Sequence, residues 1–245
     1  MIVVTGMHRS GTSLAALVLQ ALGADFGPDD SLYGADDHNA DGYLERLEAV
    51  DLNSRMITGH ERTSGKVSQI ASQLGYLRRP DPASIATRAN GCSTETAQLS
   101  EKLGDLFVKD PRFCLTLPAW QKSGNISGLV VALRHPSSSV RSLQKRNRLP
   151  PLLGHPFWRW HMESILPAID EHTLVIHQSE LLGVESDAEI ERIRSWLHQV
   201  ADIAADGDAS KVVNRSLVHH EPDDEGVPVD SLELWRKLQE APAWG

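Results

Sequence analysis

The chain has 245 residues and a mass of 26.9 kDa, enough for one large domain or one domain with a lid. Hydrophobic residues make up 40% and charged residues 23%, so a core can form and disorder of the whole chain is excluded. The net charge of −9 argues against a general nucleic-acid binder. The longest apolar run, Leu14 to Leu19, is far short of the ~20 residues of a membrane span. The chain opens on Ile2 to Thr5, which reads as a buried strand rather than a signal peptide. Cys92 and Cys114 are the only cysteines, which excludes a disulfide scaffold and fits a reducing cytoplasm.

The charge is unevenly spread. From Pro111 to Met162 there is no Asp or Glu, and eight Lys or Arg give +8, while the remainder carries −17. Such a segment either receives a small anion or forms the solvated basic face of a helix.

In chain order, the β-branched run Ile2 to Thr5 predicts a strand. The Gly6 to Gly11 loop breaks it, and Leu14, Leu17, Val18 and Leu22 predict a helix closed at Gly23. Residues 25–45 read as a polar loop. Residues 46–105 hold helical patterns broken by Gly75, Pro80, Pro82 and Gly91. Leu106 to Val108 is a second strand and Leu129 to Leu133 a third. A helix follows from Pro136 to about Arg148. A proline-rich break, Pro150 to Pro156, precedes a Trp-rich helix from Phe157 to about Asp170. Thr173 to Ile176 is a fourth strand, and Ile190, Ile193, Leu197 and Val200 mark a further amphipathic helix. There is no internal repeat. Short apolar strands alternating with helices predict an α/β fold, with a mostly parallel central sheet and helices on both faces. The whole chain reads as one domain, with 46–105 a helical substrate-binding insertion or lid.

Gly6-x-x-x-x-Gly11-Thr12-Ser13 has the frame of a Walker A loop, with threonine in the lysine position. Glycines let the backbone turn its N–H groups inward at an anion, and the helix N-terminus adds its positive end. Arg9 adds a fixed charge, and Thr12 and Ser13 add hydroxyl donors. The bland reading is a tight strand-to-helix turn. The absent lysine argues against an ordinary ATP or GTP hydrolase, where it reaches the β- and γ-phosphates. Arg134 stands at the carboxyl end of the third strand, where open α/β sheets bind ligands. Ser142 lies eight residues on, about two turns into the next helix. The alternative is an exposed arginine and a solvent-facing serine.

Together these residues resemble the PAPS-dependent sulfotransferases (PAPS is 3′-phosphoadenosine 5′-phosphosulfate). Val4 to Ser13 resembles their 5′-phosphosulfate loop, and Arg134-His135-Pro136 with Ser142 resembles their 3′-phosphate motif. Lys109-Asp110-Pro111-Arg112 and Asn39-x-x-Gly42-Tyr43-x-Glu45 are similar to motifs of the bacterial branch. Arg9 stands where the cytosolic animal branch has lysine, as in the bacterial and tyrosylprotein branches. The glycine-rich C-terminal segment of the cytosolic branch is not visible in this sequence, which leaves the adenine-binding residues open; Arg215 is a weak match for the 3′-phosphate side.

The resemblance implies a P-loop-type three-layer fold and PAPS as co-substrate, without a metal. Arg9, Ser10, Gly11, Thr12, Ser13, Arg134 and Ser142 would hold the nucleotide. Sulfuryl transfer resembles phosphoryl transfer in having a loose transition state, so positioning and charge stabilisation dominate. Arg9 and the loop amides would stabilise the leaving 5′-phosphate oxygen. The acceptor, a small molecule or glycan, needs a general base. Glu45 leads because it matches the basic glutamate of the tyrosylprotein branch; His8, Asp37, His38 and Asp110 are the others. Asp110 is the better candidate for orienting Arg112. Two rival readings stand beside this one: an ATP-dependent P-loop small-molecule kinase, and a non-catalytic anion-binding domain. The eleven histidines show no zinc-type spacing, and Trp158, Trp160 and His161 read as helix packing.

Overall fold

The computed structural model describes residues 1–34, 43–147, 149–213 and 223–244. Four strands are described: β1 (Ile2–Thr5), β2 (Phe107–Lys109), β3 (Gly128–Leu133) and β4 (Leu174–His177). They form one sheet in the order β2-β1-β3-β4, and all three pairings are parallel. Val3 lies opposite both Val108 and Leu129, and Val131 opposite Val175. Parallel neighbours need crossover connections, which the helices supply. Helix α1 (Thr12–Ala21) follows β1. Helices α2 (Leu47–Thr58), α3 (Lys66–Leu77), α4 (Pro82–Gly91) and α5 (Ser93–Leu103) lie between α1 and β2, making residues 46–105 helical as expected. Helix α6 (Phe113–Ser123) joins β2 to β3. Helices α7 (Pro136–Asn147) and α8 (Pro151–Ile165) join β3 to β4, and α9 (Gln178–Leu182), α10 (Ser186–Val200) and α11 (Val229–Gln239) follow.

The period of two along each strand sorts the core into two layers. Ile2 and Val4 of β1, with Val130 and Ala132 of β3, pack against Leu14 and Val18 of α1 and Ile193 and Trp196 of α10. Val3 and Val131 point the other way, to Met56 of α2, Ile85 of α4, Trp120 of α6 and Trp158 of α8. Helices cover both faces of a parallel sheet, the three-layer architecture expected from the alternation of strands and helices. Trp120, Trp158 and Trp196 are fully buried, and each contributes ~2–3 kcal/mol or more by leaving water.

Local chemistry explains the boundaries, including those the sequence misplaces. Gly75 does not break α3. Its missing Cβ lets the helix lie against Thr58, whose Cβ a side chain would meet at 2.8 Å. Pro82 starts α4 at its first turn, with Asp81 accepting from the Ser84 N–H at 2.9 Å. The stretch 150–156 is not a break: α8 begins at Pro151 and continues through Pro156. A proline this close to the N-terminus costs one bond, to the carbonyl of Leu152, and that residue is 87% exposed, so water can satisfy it. The helix then ends at Ile165 rather than near Asp170. Helices α6, α9 and α11 have no counterpart in the sequence reading. α6 carries Pro118 and is buried on most sides, which erases its amphipathic period.

Candidate active site

β1 ends at Thr5, whose Oγ1 donates to the Asp110 carbonyl at 3.0 Å and ties the ends of β1 and β2 together. The loop that follows can be built only with glycine at its hinge. Gly6 has φ 143°, and a Cβ there would lie 2.3 Å from the Ala132 carbonyl oxygen in β3. Arg9 (φ 71°) and Gly11 (φ 93°) are left-handed and turn the chain into α1. Helix α1 starts at Thr12 without a side-chain cap, so its first amide N–H groups and the positive dipole end face the loop. Ser10 is buried, and its Oγ has no hydrogen-bond partner. An unpaired hydroxyl, uncapped amides and a positive helix end together form a donor-rich cradle, the chemistry of an anion site.

Two further parts of the chain converge on Arg9. Its Nε donates to Ser142 Oγ of α7 at 3.0 Å, and Arg134, just beyond β3, donates from Nη1 to the Arg9 carbonyl at 3.3 Å. The fold thus brings together Arg9, Arg134 and Ser142, which the sequence separates by 133 residues at the widest. Burial and the neighbouring Arg9 charge both lower the pKa of Arg134. Among the described residues Arg134 has no carboxylate partner. A half-buried, ionically unpaired guanidinium beside a second one is stabilised by an anion.

Under the loop lies Lys109, the last residue of β2 and 1% exposed. Its Nζ donates to Glu45 Oε1 at 3.0 Å, to the Tyr43 carbonyl at 2.7 Å and to Ser13 Oγ at 3.2 Å. Glu45 therefore pairs with Lys109, not with Arg46 or Arg9. The next residue, Asp110, is buried and spoken for. Its carboxylate accepts from the Arg112 N–H (3.0 Å), Arg112 Nη1 (2.8 Å) and Asn53 Nδ2 (2.9 Å). Asn53 in turn accepts from Thr116 and Trp120 at 2.7 and 2.8 Å. Asp110 orients Arg112, as the sequence suggested, and is fully buried.

A cavity of about 410 Å³ opens beside this loop. His8, Arg9, Glu45, Arg62 and Arg112 line its polar side; Tyr76, Leu77, Leu143, Leu149 and Phe157 line its apolar side. Three guanidinium groups against one carboxylate, itself paired, make the polar side positive. The apolar side comes from α3, α7 and α8, so residues of the 46–105 stretch do border the cavity. Above the loop, His8 Nε2 meets Tyr76 Oη at 3.2 Å. Tyr76 Oη also meets His161 Nε2, and His161 Nδ1 meets the Phe157 carbonyl at 2.8 Å. Burial lowers His8 well below the ordinary histidine range, with Arg112 adding to it, and lowers His161 to about 4. Burial raises Tyr76 well above the ordinary phenol range.

The acid-free basic segment splits between two duties. Arg112 and Arg134 reach the site. Arg141 and Arg159 instead form surface ion pairs with Asp223 and Asp230 in the C-terminal part of the chain. Glu45, His8, Arg9, Ser10, Gly11, Thr12, Ser13, Arg134 and Ser142 all gather at the loop and cavity. Asp37, His38, Asn39, Gly42 and Arg215 lie outside the described residues. Sequence reasoning missed Tyr76, Arg62 and the place of His161. Tyr76 and His161 come from helices and Arg62 from the connection between α2 and α3, none of them in a motif, and His161 sits among tryptophans in a buried face, where histidine is most often packing. Among the described residues no group of three or more His, Cys, Asp or Glu is placed to hold a metal ion.

No family model and no curated protein matches this sequence. The whole architecture, however, superposes on the sulfotransferase domain of the Synechococcus PCC 7002 olefin synthase. That match has a TM-score of 0.50 at 16% identity and covers 97% of this chain and 94% of that one. The chain has a sulfotransferase fold. Coverage of both chains nearly end to end means the likeness includes the helices between α1 and β2 as well as the sheet. At this identity the likeness speaks for the fold, and the chemistry has to be argued from the site.

Proposed function

We propose that this protein transfers a sulfuryl group from PAPS to a hydroxyl or amine of a small-molecule or glycan acceptor. The observation that carries the reading is the meeting of Arg134, Arg9 and Ser142 at a glycine loop in which the buried Ser10 hydroxyl has no hydrogen-bond partner. In this reading Ser10 to Ser13 and the α1 amides hold the 5′-phosphosulfate, and Arg134 with Ser142 holds the 3′-phosphate. The cavity beside the loop takes the acceptor, with α3 of the 46–105 insertion as its adjustable wall.

The acceptor oxygen attacks sulfur in line with the bridging S–O bond. As that bond breaks, its electron pair stays on the 5′-phosphate oxygen, and Arg9 and the loop amides stabilise the developing charge. No added metal is required, because Lys109 already places an ammonium on the Ser13 hydroxyl. In Walker loops that hydroxyl binds Mg²⁺ instead. The same contact disfavours the kinase alternative. Of the two cavity-lining candidates for the acceptor proton, Glu45 is held by Lys109 and His8 is not. The free thiols of Cys92 and Cys114 suit a reducing cytoplasm.

A thermal-shift panel with 3′,5′-adenosine bisphosphate, ATP with Mg²⁺, and 5′-AMP tests the reading. Stabilisation by the bisphosphate, growing with concentration as binding requires, is expected. Stabilisation by ATP with Mg²⁺ and not by the bisphosphate would transfer the protein to the kinases.

A further inference from the structure

We infer that His8 takes the acceptor proton at Nδ1, and that Tyr76 and His161 act as positioning residues that hold it in the tautomer able to do so. The inference rests on the sulfuryl-transfer reading. It follows from counting protons along one chain of hydrogen bonds.

The chain is anchored at a carbonyl, which only accepts. His161 Nδ1 must therefore donate to the Phe157 oxygen, 2.8 Å away. His161 is fully buried and neutral, so its Nε2 has no proton and accepts. The contact to Tyr76 is then a phenol O–H donating to Nε2. A phenol has one proton, and it is now committed. At the contact of 3.2 Å between Tyr76 and His8, the phenol oxygen accepts and His8 Nε2 donates. Neutral His8 thus carries its proton on Nε2 and a bare lone pair on Nδ1. Nδ1 has no hydrogen-bond partner among the described residues and is not a closed-off buried atom. His8 lines the cavity, and Nδ1 is the ring nitrogen left for a bound acceptor.

The chain is also held mechanically. The Tyr76 ring packs edge-on to His8, Phe157 and His161, and the Arg112 guanidinium lies 5.8 Å from its centre. Around His8 stand Arg112, Arg62, Lys109, His161, Tyr76 and, across the cavity, Glu45. Burial, with these cations adding to it, favours neutral His8 before substrate binds. Bound phosphosulfate is of opposite sign and favours the imidazolium. In the step itself, the acceptor O–H proton moves to His8 Nδ1 while the acceptor oxygen bonds to sulfur. The bridging S–O bond breaks, and its electrons remain on the bisphosphate. His8 leaves the step as an imidazolium that donates from both nitrogens.

Imidazole ¹⁵N NMR of the full chain, with His8 assigned by its loss in His8→Gln, reads the tautomer without turnover. Nε2 is expected protonated and Nδ1 bare, and Tyr76→Phe is expected to mix the two forms. With labelled PAPS, His8→Gln is expected to lower kcat by about 10²–10⁴-fold. Tyr76→Phe should lower it less, with bisphosphate affinity within threefold of wild type in both. A protonated Nδ1 in the wild type overturns the inference. So does His8→Gln turning over within tenfold of wild type, an outcome that leaves the sulfuryl-transfer reading standing. Failure of the bisphosphate to bind wild type fells that reading and the base role with it, and the NMR result still decides the hydrogen-bond chain.

Discussion

The Lys109–Glu45 pair gives a quantitative test of how the loop is supported. Lys109 is 1% exposed, and its ammonium has three acceptors: Glu45, the Tyr43 carbonyl and Ser13. Glu45→Gln removes the countercharge and leaves the ammonium with neutral partners. Breaking a buried pair from one side typically costs ~3–5 kcal/mol. The Glu45 side chain is 13% exposed, and two acceptors remain on Lys109, so we expect about 2–3 kcal/mol. For a chain of this size that is a fall in Tm of roughly 5–10 °C. Lys109→Met should cost a similar amount, because Glu45 and the Tyr43 carbonyl lose their donor. The double variant leaves no charge without a partner and should be about 2 kcal/mol more stable than the sum of the singles. Urea unfolding of the four proteins, read by tryptophan fluorescence, measures this coupling. Additivity within about 0.5 kcal/mol would refute the claim that the two side chains act as one buried unit.

Arg134→Ala should weaken 3′,5′-adenosine bisphosphate by about 1.5–3 kcal/mol, the usual cost of a lost charge-assisted hydrogen bond, and Ser142→Ala by less; calorimetry on the double variant giving wild-type affinity would remove the assigned 3′-phosphate site. Sulfuryl transfer should persist in excess EDTA, whereas strict dependence on Mg²⁺ would favour the kinase reading. His161 titrates near 4 in the folded chain against about 6.5 unfolded, so the unfolded state binds the proton first as pH falls. Its destabilising effect is absent above pH 6.5, grows as pH drops below that and is complete below about 4, reaching ~3 kcal/mol. His161→Gln should therefore lose less stability than wild type between pH 6.5 and 4, and parallel pH–stability curves would contradict a buried neutral histidine. Gly6→Ala should fail to fold or lose more than ~3 kcal/mol, since its Cβ falls 2.3 Å from a backbone oxygen; a near-normal Tm would show that the loop relaxes.

The sequence by itself determined the sheet and the loop. Four apolar runs, each short and bounded by breakers, identify four strands to within a residue, because burial on both faces of a parallel sheet leaves a composition signal that needs no partner to be seen. The glycines at 6 and 11 are legible for the same reason: a left-handed backbone and a close approach to β3 are demands on single residues. Arg134 and Ser142 are visible as a spacing. Their convergence on Arg9 is not, since it depends on where α7 lies relative to the loop. Helix α8 running through its prolines, and α6 with no polar face, were decided by packing. Only the tertiary structure decided which partners the carboxylates and histidines meet. Glu45 pairs with a lysine 64 residues away, and His8 meets a tyrosine 68 residues away that in turn meets a histidine 85 residues beyond it. Which protonation state a side chain holds is set by charges and donors within a few ångströms, and those neighbours are assembled from segments that share no periodicity along the chain.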